Sequence, residues 1–270
     1  MVQPPDSTRF PGLSWVQTLL GSLPAWPYAL LMLVGMCVLG GALSYMMHAL
    51  PREMAESATA SALAAEEQQL LNTGTELLNA TFSGELPGLD IRPQQGSSAS
   101  VEKGFYRASF SAAGNRFLIL TPSVENFIAE LDCILLEGSD GGECGIIFAC
   151  QTGEADLVGD AKRTAATGGD ADRYTLLITG NTYEFQTQIE KSTTTLGKSS
   201  SAILSGSGRH NRLRVVRLQE DIRLYVNGIL VARLRDHRLG AGGVGFHTGS
   251  RSTGENVQVA LDSFRVWQIP

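Results

Sequence analysis

From about residue 105 to residue 270 the chain is predicted to be all-β, a sandwich of two antiparallel sheets, preceded by a transmembrane helix and a helical stalk. Three observations predict it. First, short apolar or alternating segments recur with turn residues between them, at 105–110, 116–121, 127–136, 144–150, 173–179, 183–189, 212–218, 222–226, 229–234, 243–248 and 257–267. Many short strands at such spacing, with no helical period among them, call for two sheets packed face to face. Second, thirty Gly against three Trp indicates many turns and few large aromatic anchors. Third, Asn227-Gly228 sits between Tyr225-Val226 and Ile229-Leu230. Both central residues of a two-residue type I′ hairpin need positive φ, and Asn-Gly supplies them. Val226 is then expected to face Ile229, and Leu224 to face Val231. Gly180-Asn181 marks a second hairpin, between 173–179 and 183–189.

The segments ahead of the sandwich follow in order. Residues 1–26 form a tail in which Phe10, Leu13, Val16, Leu19, Leu20 and Leu23 fit one face of an interfacial helix, with Trp15 beside them. Residues 27–50 contain no Asp, Glu, Lys or Arg. A helix of that length spans a hydrocarbon core of about 30 Å, and Trp26, Tyr28 and Tyr45 sit where interfacial aromatics often sit. The run starts late and lacks a basic leader, so it reads as an uncleaved signal anchor. The expected location is therefore a single-pass membrane protein. Arg9 and Arg52 balance each other across the span, so flanking charge does not orient it.

Residues 51–82 read as a stalk helix opened by Pro51 and rich in Ala, Leu, Glu and Gln. Leu63, Leu70 and Leu77 repeat every seven residues and make a weak seam for self-association, interrupted by Gly74. Residues 83–104, with Pro87, Pro93 and Ser97-Ser98-Ala99-Ser100, read as a linker. The net charge of −6 gives no reason to expect nucleic acid as a partner.

Within the domain, the run Arg209 to Val216, then Ile222-Arg223-Leu224-Tyr225-Val226-Asn227-Gly228-Ile229, then Gly243-Val244-Gly245-Phe246 and Leu261-Asp262-Ser263-Phe264-Arg265-Val266-Trp267, resembles the concanavalin A-like jelly-roll superfamily. It looks most like its bacterial laminin-G-like and 3-keto-disaccharide-hydrolase-like domains. Asn115 to Ile119 and Cys144 to Phe148 fit the same strand order. The resemblance covers about 105–270 and implies a jelly roll whose relatives include lectins, glycosidases and adhesion modules. It also implies an extracytoplasmic domain.

Glycoside hydrolysis needs two carboxylates flanking the scissile bond. Glucanases of the superfamily carry Glu-x-Asp-x-Glu on one strand, with alternation aiming the acids into a cleft. Here Glu130-Leu131-Asp132 begins that pattern, but Ile134 stands in the third position and Glu137 lies too far on. The reading is therefore against catalysis, with Glu130 and Asp132 as exposed strand-face carboxylates. No catalytic residue, metal ligand set or cofactor is assigned. Calcium is known in the superfamily and Asp140 or Asp262 could contribute, but no ligand cluster supports it.

Residues 209–238 carry eight Arg against three acids. Arg212, Arg214 and Arg223 alternate with Leu213, Val215, Ile222 and Leu224, so they belong on the face opposite the core. With Tyr225 they are candidates for binding a glycan or another acidic polymer, together with Glu130 and Asp132. Of Cys133, Cys144 and Cys150, the last two are about 20 Å apart along one strand and cannot bridge each other. Buried free thiols are expected, with Cys133 bridged to one of them as the alternative. The function expected is a membrane-anchored binding module for glycan or cell-envelope polymer. The alternative is an accessory single-span subunit whose span and acidic stalk dock on partner subunits of a membrane complex.

Overall fold

A computed structural model describes residues 26–48, 50–83, 96–136, 141–151, 171–200, 204, 208, 210–252 and 256–270. The tail assigned to 1–26, apart from Trp26, lies outside them, as do most of the linker and Asp140. The chain divides into two compact units, Met1–Glu66 and Glu67–Pro270.

Helix α1 runs from Trp26 to His48 and helix α2 from Leu50 to Thr73. Leu30, Leu31, Met32, Leu33, Val34, Met36, Val38 and Leu39 of α1 are exposed. Among the described residues, no helix is long and apolar enough to cross a membrane, so the transmembrane assignment of 27–50 is not borne out here.

The stalk helix ends earlier than predicted. Gly74 closes it by donating its N–H to the Leu70 carbonyl at 2.8 Å. Thr75–Ala80 is then strand β1, not the last turns of a helix. Leu78, Ala80 and Phe82 are buried and Asn79 and Thr81 exposed, the period of two that a strand requires. Leu70 packs on the sandwich surface and Leu77 against its core. The heptad seam proposed for self-association is thus largely consumed by the chain's own domain.

Thirteen further strands follow: β2 Ser97–Glu102, β3 Phe105–Phe110, β4 Gly114–Ile119, β5 Phe127–Leu135, β6 Gly142–Cys150, β7 Arg173–Thr179, β8 Thr182–Ile189, β9 Ser192–Ser200, β10 His210–Leu218, β11 Asp221–Val226, β12 Ile229–Arg235, β13 Gly243–Ser250 and β14 Val257–Gln268. Sheet A has the order β12-β11-β10-β5-β14-β3-β2, and sheet B the order β4-β13-β6-β7-β8-β9. The twelve-residue β14 pairs with β5 along one edge. Its other edge takes β3 at Val257–Leu261 and β1 at Phe264–Gln268. The domain therefore begins near Glu67, not at 105. All eleven predicted segments are strands, with ends shifted by at most two residues.

Each strand sends alternate side chains into one core between the sheets. Phe246 of sheet B packs edge-on against Tyr106 at 5.0 Å and Phe264 at 5.8 Å. Phe127 meets Phe148 at 5.7 Å, joining the sheets further along. Such edge-to-face contacts add about 0.5–1.5 kcal/mol beyond area burial.

At the β11–β12 turn, Asn227 and Gly228 have φ of 51° and 80°, as the I′ turn requires. Val226 faces Ile229, but a bulge between Leu224 and Tyr225 places Leu224 opposite Ala232 instead of Val231. The Asn227 carboxamide also accepts from the Arg212 backbone N–H at 2.8 Å. Cys133 of β5 is bonded to Cys144 of β6, while Cys150 is free and buried. Free thiols were the first expectation and a Cys133 bridge the alternative; the alternative is what forms. The pairing arises because both side chains point into the core from facing strands of opposite sheets.

Candidate functional site

The residues singled out in the sequence do come together, on the outer face of sheet A. Register puts Arg265, Glu130, Arg214 and Tyr225 in one row across β14, β5, β10 and β11. Ser263, Asp132 and Arg212 form the row beside it. Arg212, Arg214 and Arg223 all point away from the core, as alternation required. They do not form an open basic surface.

Arg212 holds Asp132 with two hydrogen bonds, at 2.8 and 2.9 Å. Arg214 binds Glu130 through Nε at 2.7 Å and Glu67 through Nη1 at 3.3 Å. Arg223 is only 4% exposed and pairs with Asp221 and Glu67. The Tyr225 hydroxyl donates to Glu67. Burial, then the Glu67 carboxylate, push the Tyr225 hydroxyl pKa up. Glu130 and Asp132, read as exposed, are buried at 6% and 8%. Side chains from the last turns of α2 cover this face, with Leu70 and Leu71 packed around Ile128, Val216, Tyr225 and Ile269. The carboxylates of this predicted ligand surface are thus bound by its own arginines, Arg212 and Arg214, while Arg212 itself stays half exposed.

A cleft of about 500 Å³ lies on the outer face of sheet B. Its walls include Asn115 of β4, Glu143 of β6, Thr175 of β7, Gln186 and Gln188 of β8, Thr193 of β9 and His247 of β13. Alternation builds it. Cys144, Ile146, Tyr174, Leu176, Phe185 and Phe246 enter the core, so their neighbours on each strand face out. Asn115, Gly249 and Glu143 share one cross-strand row. A Cβ on Gly249 would lie 2.4 Å from Asn115 Oδ1 and 2.8 Å from His247 Nε2. The glycine is therefore what allows Asn115, His247 and Glu143 to converge on the cleft floor.

Arg251, just after β13, crosses the floor. Its Nε binds Glu143, and its two terminal nitrogens bind the two oxygens of Glu184, each at 3.0 Å. Lys198 adds a contact to Glu184 at 2.6 Å, and His247 Nε2 lies 3.4 Å from Glu143. For Glu184, the Arg251 hydrogen bonds outweigh burial and bring its pKa from 4.5 to about 2. Burial raises Glu143, but His247 and Arg251 together overcome it and leave the carboxyl below its ordinary value. Both acids are thus held ionised. A glycosidase acid needs the opposite, a raised pKa. The described residues contain no group of three or more His, Cys, Asp and Glu suited to a metal. Asp262 lies on β14 with His210 4.0 Å away.

The acid response follows in sign. Folding lowers the Glu184 pKa, so the native state binds fewer protons than the unfolded chain. That stabilisation is complete above about pH 4.5 and is lost as pH falls towards about 2. Glu184→Gln is expected to flatten the acid limb of a urea-midpoint profile in that window, with little change in the slope above pH 5.

The cleft was missed because Glu143 was placed ahead of its strand, which was started at Cys144. The usable signal was the outward parity of Glu184, Gln186 and Gln188 on β8.

No protein-family model matches the chain, and no curated protein matches it in sequence. Solved structures match by fold. The chain is similar to a protein of unknown function with a galectin-like fold from Bacillus subtilis, at 16% identity over 73% of this chain and 97% of that one, with a TM-score of 0.54. It is also similar to a β-glucanase from Bacillus licheniformis, at 11% identity over 73% of this chain and all of the other, with a TM-score of 0.53. Identities this low carry the fold and not the chemistry. The comparisons therefore show the fold alone, a two-sheet antiparallel sandwich like those of these two proteins.

Proposed function

We propose that the chain is a membrane-anchored, extracytoplasmic glycan-binding module that does not catalyse, and that the cleft on sheet B is its binding site. The observation that carries this reading is the cleft itself. It is lined by amide and hydroxyl side chains, the groups that hydrogen-bond a polyhydroxylated ligand, while its carboxylates are bound to Arg251 and Lys198. A glycan ligand is also consistent with the β-glucanase likeness. The non-catalytic reading is supported by the lowered pKa of both Glu143 and Glu184.

The anchor reading is supported by α1. Its 23 residues include no Asp, Glu, Lys or Arg. A contiguous exposed surface of Leu, Met and Val calls for a non-aqueous partner. The Cys133–Cys144 bond favours an oxidising compartment for the sandwich.

The test is a glycan array probed with the full chain in lipid nanodiscs. Binding is expected, reduced about tenfold by Asn115→Ala or Gln188→Ala and unchanged by Arg212→Ala on the opposite sheet. Binding that survives both cleft variants but fails with Arg212→Ala would move the site to sheet A. Release of the chain from membranes by alkaline carbonate would remove the anchor.

A further inference from the structure

One uncharged side chain of the cleft, Gln186, is tied to the charged floor through Glu184. Arg251 grips Glu184 with a fork-to-fork pair of hydrogen bonds, the geometry that fixes a carboxylate in rotation as well as position. Glu184 Oε2 in turn accepts from Gln186 Nε2 at 2.8 Å. A carboxamide has one NH2 end and one carbonyl end. With the NH2 end turned to Glu184, the carbonyl oxygen is turned the other way on a side chain that lines the cleft.

The floor acids are neutralised within the chain. Glu184 binds Arg251 and Lys198, Glu143 binds Arg251 and His247, and Arg173 is only 7% exposed and bonded to the Ala171 carbonyl. What the cleft offers a ligand is Asn115, Thr175, Gln186, Gln188 and Thr193. Among the described residues no Phe, Tyr or Trp lines it, so the selectivity rests on hydrogen bonding.

We propose that Arg251 is a positioning residue for an uncharged saccharide: acting through Glu184, it orients the Gln186 amide so that its carbonyl oxygen accepts from a hydroxyl or acetamido N–H of the ligand. The proposal rests on the glycan-binding reading. Arg251 also lines the cleft, but its Nε and both terminal nitrogens are taken by Glu143 and Glu184.

A double-mutant cycle on the full chain tests it, with dissociation constants measured by calorimetry for neutral, uronic-acid and amino-sugar oligosaccharides. Gln186→Ala removes no charge and should weaken the neutral ligand about tenfold. Arg251→Gln should weaken it by a similar factor, Arg251→Lys should restore part of the loss, and the double variant should lose no more than either single one, because both act through one contact. The side-chain amide resonance of Gln186 should shift in Arg251→Gln. Additive losses in the double variant, or an unchanged constant in Gln186→Ala, would overturn the relay. Tighter binding of either charged oligosaccharide than of the neutral one would overturn the ligand class. Failure of all three to bind the unaltered chain would reject the glycan reading itself, an outcome distinct from loss of the relay alone.

Discussion

Replacing Glu67 with alanine is expected to lower the unfolding free energy by about 3–5 kcal/mol, the range for removing one partner of a buried ionic cluster. Glu67 is 2% exposed and meets three groups at once: the Tyr225 hydroxyl, Arg214 and Arg223. Arg214 keeps Glu130, and Arg223 keeps Asp221. The change nevertheless leaves Tyr225 and the buried Arg223 facing an empty site, and it loosens the turn that seats Leu70 and Leu71 on Ile128 and Val216. Glu67→Gln keeps an acceptor for the tyrosine and should cost distinctly less. Urea denaturation of the full chain measures the difference. Hydrogen exchange across 67–74 locates it, with protection expected to fall there before it falls in β5. A change below about 1 kcal/mol for Glu67→Ala would mean that the helix end adds little to the domain.

That contact also shows where sequence reasoning stops. Alternation placed Arg212, Arg214 and Arg223 on the outer face correctly, because parity is local. Their partners are not local: Asp132 and Glu130 arrive through the β5–β10 register, and Glu67 through a helix nearly 150 residues earlier in the chain. A row of arginines was legible, but its neutralisation was not. The same division explains the strands. Core strands such as β5 and β7 are buried along nearly their whole length and announce themselves by apolar runs. Strands β2 and β9, with sequences SSASVE and STTTLGKSS, lie at sheet edges and bury little, so nothing in their composition separates them from a linker. Strand β1 was hidden for another reason. Its Glu, Leu, Asn and Ala suit a helix, and the leucines before it continue into it with a spacing a helix also allows. Only the alternation of Leu78, Ala80 and Phe82 beyond Gly74 distinguishes the two. The cleft combined these difficulties, since its residues come from six strands, one of them the unrecognised β9.

The second large effect is expected at the disulfide. Cys133 and Cys144 are 11 residues apart, and closing a loop of that size in the unfolded chain is worth about 3 kcal/mol by loop entropy. Cys133→Ala with Cys144→Ala should therefore lower the urea midpoint markedly. Both positions are fully buried in the core, so part of the loss will come from packing. Cys133→Val with Cys144→Ala separates the two contributions, since it returns apolar volume without the bond. A reductant applied to the unaltered chain should produce a loss close to that of the packed variant. Cys150 supplies the control: it is buried and free, and burial raises its thiol pKa, so it should react slowly with alkylating reagents in the native state. Alkylation of all four cysteines in the unfolded but unreduced chain, Cys133 and Cys144 besides Cys37 and Cys150, would show that the bond does not form. Two would show that it does, and would support a sandwich that matures in an oxidising compartment.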